Sequence, residues 1–109
     1  VAQAYKVLAQ SAPSATTATD ILTIGAGKSV VASTLSVCNR GTTAATYRVA
    51  VRPAGASLAN QHYVIYDANI GAKDTVTLSV GLTLAATDVV TVYASTANFS
   101  FSLFGAEIS

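Results

Sequence analysis

Residues 45–52 read Ala45-Thr46-Tyr47-Arg48-Val49-Ala50-Val51-Arg52. Successive side chains of an extended chain point to opposite faces, so the alternation of Ala45, Tyr47, Val49 and Val51 with Thr46, Arg48, Ala50 and Arg52 predicts a strand with one buried and one charged face. The period returns at Asp74 to Val80, where Val76, Leu78 and Val80 alternate with Thr75, Thr77 and Ser79, and at Asn98 to Leu103, where Phe99, Phe101 and Leu103 alternate with Ser100 and Ser102. Lys28 to Cys38 and Val89 to Ser95 are β-branched and apolar on both faces, the pattern of strands covered by neighbours. Tyr5 to Ala9, Ile21 to Ile24, His62 to Tyr66 and Leu82 to Leu84 carry weaker signals. Turn formers such as Gly25-Ala-Gly, Asn39-Arg-Gly, Pro53-Ala-Gly and Asn69-Ile-Gly punctuate the chain at intervals of about ten to fifteen residues. This cadence predicts an all-β fold, an antiparallel β-sandwich of about eight strands, jelly-roll or immunoglobulin-like. Its expected core includes Tyr47, Val49, Val51, Val76, Leu78, Val90, Val92, Phe99 and Phe101.

The composition agrees. In 109 residues, 51% are hydrophobic and 10% charged, which is far from the disordered regime and fits one domain. A net charge of +1 gives no electrostatic case for nucleic acid. No run approaches the roughly 18 apolar residues of a membrane span, and the apolar stretch Val7 to Ala9 is too short to read as an export signal. Residues 1–19 are expected to form an N-terminal arm, with Ser11 to Thr19 as a small, polar, flexible joint, and residues 20–109 the sandwich body. With Cys38 as the one cysteine, no intrachain disulfide or multi-cysteine metal site can staple the domain. Ordering a small chain costs about 1.5 kcal/mol per residue, which nearly cancels its apolar burial, so a homo-oligomer is expected to supply further stability.

Catalytic chemistry finds little to build on. Cys38 at the end of an apolar strand reads as a small buried hydrophobe, and His62, the sole histidine, as a surface or interface hydrogen-bonding group. Gly27-Lys28-Ser29 matches only the end of a phosphate loop, because Leu22 stands where its leading glycine belongs and strand follows where a helix should. Asp20, Asp67, Asp74 and Asp88 lie at strand boundaries or turns, where carboxylates cap backbone. Asn98-Phe99-Ser100 matches a glycosylation sequon but falls inside an expected strand. No catalytic residue, cofactor or metal site is expected; an enzyme assembled across subunits would draw on His62 and Asp67. Arg48 and Arg52, four apart on one strand with Arg40 in the preceding turn, form a row that reads either as a solvated face or as forked donors for a partner's carboxylates.

Three segments carry a wider resemblance: Gln61 to Thr75, then Leu82-Thr-Leu-Ala-Ala-Thr-Asp-Val-Val-Thr-Val-Tyr-Ala-Ser95, then Phe99 to Ile108 with its Phe104-Gly-Ala-Glu-Ile close. Together with Lys6 to Ala9 and Val37-Cys-Asn-Arg-Gly41, the chain resembles small virion structural proteins of tailed bacteriophages, especially those of cyanobacteria and other aquatic bacteria. The resemblance implies a virion component on a β-sandwich. As a capsid decoration or cement protein, the chain would be a trimer on the outer surface of the capsid with the major capsid protein as partner. Interface candidates are Tyr5 on the arm, Arg40, Arg48, Arg52, His62 and Tyr66. The rival readings are a neck, tail or fibre component of the same virion, and a carbohydrate-binding module that uses tyrosines as sugar platforms.

Overall fold

The computed structural model of the chain describes residues 3–109; Val1 and Ala2, the first two residues of the expected arm, lie outside them. Eight strands form: β1 (Gln3–Ser11), β2 (Thr19–Thr23), β3 (Ser29–Asn39), β4 (Ala45–Arg52), β5 (Tyr63–Ile70), β6 (Thr75–Leu84), β7 (Val89–Ala94) and β8 (Phe99–Ile108). They make two four-stranded antiparallel sheets, ordered β1-β8-β3-β6 and β2-β7-β4-β5. First pairs with last, second with seventh, third with sixth and fourth with fifth, which is one long antiparallel ribbon rolled upon itself. An immunoglobulin-like order would instead set the first, second, fifth and fourth strands side by side. The jelly-roll alternative is therefore the one realised.

Between the sheets lies one core. Tyr47, Val49, Val90, Val92, Phe99 and Phe101 are buried as expected, joined by Val30, Leu35 and Val37 of central β3 and by Ile70, Leu84 and Leu103. The rings of Tyr47, Phe99 and Phe101 meet at centroid separations of 6.0–6.2 Å in tilted and edge-on geometries. Burying each such side chain contributes about 1.5–3 kcal/mol. Val76 and Leu78 are only half-buried because β6 is an edge strand; Val51, near the end of β4, is likewise half-buried.

Three expectations need correction. The segment set apart as an arm contains β1, which pairs with β8 from Gln3↔Ile108 to Ser11↔Phe101. Residues 3–11 are thus the edge strand of a sheet in their own domain. Cys38 is half-buried rather than a core residue. Its neighbour Val37 faces the core between Phe101 and Val76, so Cys38, between Ser100 and Thr75, stands on the outer side. His62, expected as a surface or interface hydrogen-bonding group, is buried in a 3-10 turn at Asn60–His62 and hydrogen-bonds within that turn.

Register shifts in three strands of the β1-β8-β3-β6 sheet line up in a row, at Leu8 of β1, Ser33 of β3 and Val80 and Gly81 of β6, beside Phe104 and Gly105 of the unbroken β8. Glycine is required at the centre of this row. A Cβ on Gly105 would lie 2.1 Å from the Val31 carbonyl oxygen and 2.9 Å from the Ala32 Cα, so only a residue without a side chain lets β8 and β3 approach.

Candidate functional site

The two outer faces of the sandwich differ in chemistry, and register fixes which residues each displays. Directly opposed residues share a face. On the β2-β7-β4-β5 sheet, Arg48 stands opposite Tyr93 of β7 and beside Tyr66 and Asp67 of β5. The register shift between Tyr47 and Val49 sets two β5 residues, Tyr66 and Asp67, against the single Arg48, and Asp67 adopts φ of 52°, a conformation that Asp tolerates better than most residues. That bulge aims both β5 side chains at the guanidinium. Arg48 Nε donates to Asp67 Oδ1 at 2.6 Å and Nη2 donates to Oδ2 at 3.3 Å. Its guanidinium also lies 4.3 Å from the Tyr66 ring centroid and 4.4 Å from that of Tyr93. The hydrogen bond that Arg48 donates to Asp67 raises the Arg48 pKa above its ordinary value, so the group is a permanent cation with its fork already occupied.

One row along, Tyr63, Ala50, Thr91 and Asp20 run across the same sheet. Arg52 closes onto this row. Its Nε donates to Thr91 Oγ1 at 3.1 Å, the Thr91 hydroxyl donates to Asp20 Oδ1 at 2.8 Å, and Arg52 Nη2 meets Asp20 Oδ2 at 2.8 Å. A further donation from Nη1 to the Ala56 carbonyl at 3.0 Å fixes the loop after β4. Arg48 and Arg52 therefore do share a side, as their spacing implied. Neither is a free donor for a partner's carboxylate, because each already holds an aspartate that sequence reasoning assigned to a turn or strand boundary. Arg40 is not in this row: it lies in the β3–β4 connection and donates to the Ala97 carbonyl at 3.1 Å. Tyr93 and Asn60 were not singled out from sequence; the Thr91-Val92-Tyr93 alternation in β7 is the signal that would have placed Tyr93 beside Arg48.

Tyr63 and Tyr66 meet edge-on, with ring centroids 4.9 Å apart and planes at 80°, and with Asn60 they line a surface hollow of about 460 Å³. Tyr66 remains 58% exposed. His62, next in the chain, takes no part in a reactive pair: its Nδ1 accepts the Ala59 N–H at 3.1 Å, while Asp67 is held by Arg48. Cys38 stands on β3 of one sheet and His62 in the 3-10 turn that leads into β5 of the other, and no hydrogen bond joins them. Among the described residues no group of three or more His, Cys, Asp or Glu could hold a metal ion.

The outer face of the β1-β8-β3-β6 sheet carries no charged residue among those described. Its rows read Tyr5–Ala106–Val31–Thr83, Val7–Phe104–Thr34–Ser79 and Gln10–Ser102–Ser36–Thr77. Tyr5, Val7 and Val31 are 81%, 49% and 41% exposed, so half of this face is an apolar patch and the other half hydroxyl-bearing. Lys6 and Glu107 fall on the alternate positions and pair at 3.1 Å at the end of the sheet, with Lys28 at 3.6 Å. The Lys6 hydrogen bond, reinforced by the Lys28 charge, lowers the Glu107 pKa.

No helix among the described residues is long and apolar enough to cross a membrane. No family model, curated protein or solved structure matches the chain.

Proposed function

We propose that this chain is a non-enzymatic structural protein of a bacteriophage virion, a decoration protein on the outer surface of the capsid that bridges subunits of the major capsid protein. The observation that carries this reading is the uncharged β1-β8-β3-β6 face. Docking it strips water from no ion, and it already exposes Tyr5, Val7 and Val31, the kind of residues that form the centre of protein interfaces. A face of four strands about 4.8 Å apart and some ten residues long covers about 600 Å², so docking it would bury about 1,200 Å² in total, the lower bound of a stable interface. The jelly-roll strand order adds an analogy, since viral capsid domains share it with lectins and cupins. The resemblance of residues 61–75, 82–95 and 99–108 to small phage virion proteins narrows that analogy.

Contact through this face replaces contact through Arg48 and Arg52, which Asp67 and Asp20 already occupy. A homotrimer at threefold or quasi-threefold positions would present three such faces at once, and weak contacts then add through effective concentration. Imaging of the virion tests the assignment. Density for this chain over the shell, in a copy number that is a multiple of the lattice repeat, is the expected result; density confined to neck, tail or fibre would replace the decoration reading with its rival.

A further inference from the structure

The sheet facing the other way carries a built concave feature. Tyr63 and Tyr66 stand at 80° to each other, one ring as floor and one as wall, and Asn60 from the preceding 3-10 turn closes a third side of the hollow of about 460 Å³. That volume is within the range of small-ligand sites. The Tyr66 ring is held in place: the Arg48 guanidinium packs on it at 4.3 Å and is itself clamped by Asp67 and by Tyr93. A platform fixed in this way loses little conformational freedom on binding.

From this geometry we infer that the Asn60–Tyr63–Tyr66 hollow is a binding site for a neutral saccharide. The electron-rich face of a tyrosine attracts the C–H edges of a pyranose ring, which carry partial positive charge. A carboxamide and phenol hydroxyls each donate and accept, matching vicinal sugar hydroxyls that also do both. Charge argues for a neutral ligand. The nearest cation, Arg48, is already neutralised at 2.6 Å by Asp67, and the lining is one carboxamide and two phenols, with no Lys, Arg, Asp or Glu among them. The right-angled corner suits a compact ring better than an extended proline-rich segment, which needs a channel of aromatic ridges. Sugar binding here requires nothing of the opposite, uncharged face, so it stands or falls independently of a place in a virion.

Amide chemical shifts of the full chain, followed during titration with lactose, cellobiose, maltose and chitobiose, test the site. At least one of these is expected to move signals of residues 60–67 with a Kd of about 1 mM. Tyr66→Ala should weaken that binding about tenfold, Tyr66→Phe should retain most of it, and Tyr5→Ala, which removes a more exposed tyrosine on the other sheet, should leave it unchanged. No shift with any of the four sugars, shifts that survive Tyr66→Ala, or shifts produced only by a heparin fragment or a proline-rich peptide would overturn the inference.

Discussion

At the residue scale, the most constrained polar group is Asn39. Fully buried, it donates from Nδ2 to the carbonyls of Thr43 at 2.9 Å, Ile70 at 3.1 Å and Gly71 at 3.2 Å, and its Oδ1 accepts the Gly41 N–H at 2.9 Å. One side chain thus ties the β3–β4 connection to the end of β5. The Asn39-Arg-Gly triplet was legible as a turn, but its long-range half was not, because Ile70 and Gly71 are more than thirty residues away. Asn39→Ala would leave a buried N–H and several carbonyls without this partner, at a cost of about 1–3 kcal/mol. Thermal denaturation should show a midpoint lower by roughly 4–8 °C per kcal/mol lost. A midpoint equal to that of the parent would mean that water replaces the side chain without penalty. The arginines teach the same lesson about partners. Period two placed Arg48 and Arg52 on one face, yet the aspartates that close them come from β5 and β2, which no local pattern connects to β4.

At the element scale, strands were legible where period two is unbroken and blurred where bulges interrupt it. β4 has the bounds its alternation gave. β5 runs to Ile70 rather than Tyr66, since its register shifts twice, and β6 is one strand rather than two because Gly81, at φ of 57°, carries the chain through a bulge. β8 continues to Ile108 past Gly105, beyond the Leu103 where its alternation stops. All four edge strands, β1, β2, β5 and β6, carry a register shift, a device that discourages edge-to-edge pairing and leaves the faces as the natural contact surfaces. The connections carry their own charge chemistry. Asp88 accepts the backbone N–H groups of Ala54 and Ala85, each at 2.9 Å, pinning the β6–β7 turn to the loop after β4. These bonds, Ala54 first, lower its pKa. A carboxylate whose folded pKa is depressed contributes stability above its unfolded pKa and loses it as pH falls through the folded value, so the contribution should fade below about pH 4. Urea midpoints measured from pH 7 downward should therefore fall in acid. Asp88→Asn should be less stable than the parent at neutral pH and show a shallower acid decline; an unchanged slope would mean the carboxylate is not preferentially ionised in the folded state.

At the scale of the whole molecule, the chain is a flattened body of 45 × 28 × 19 Å with two unlike broad faces. Jelly roll and immunoglobulin-like sandwich could not be separated from sequence, because the deciding pair, β1 with β8, joins residues at opposite ends of the chain and leaves no local trace. The contrast between faces was equally hidden, since it depends on which strands neighbour one another. It has a measurable consequence for attachment to a capsid shell. Contacts made by arginines to shell carboxylates would weaken as salt shortens the Debye length from about 10 Å at 0.1 M to about 3 Å at 1 M. Contacts made by a face without charge have no such Coulomb attraction to screen, and apolar burial is not weakened by added salt in this way. Retention of this chain on purified virions should accordingly stay constant from about 0.1 M to 1 M sodium chloride, followed by sedimentation and quantification of the released protein. Val31→Asp places a carboxylate in the middle of the apolar patch at a position already 41% exposed, so folding should survive while docking must now desolvate a charge. Retention of Val31→Asp should drop severalfold, whereas Arg52→Gln should be released no faster than the parent provided its circular dichroism is unchanged. The reverse ranking, or steep release of the parent by salt, would assign attachment to the arginine-bearing sheet instead.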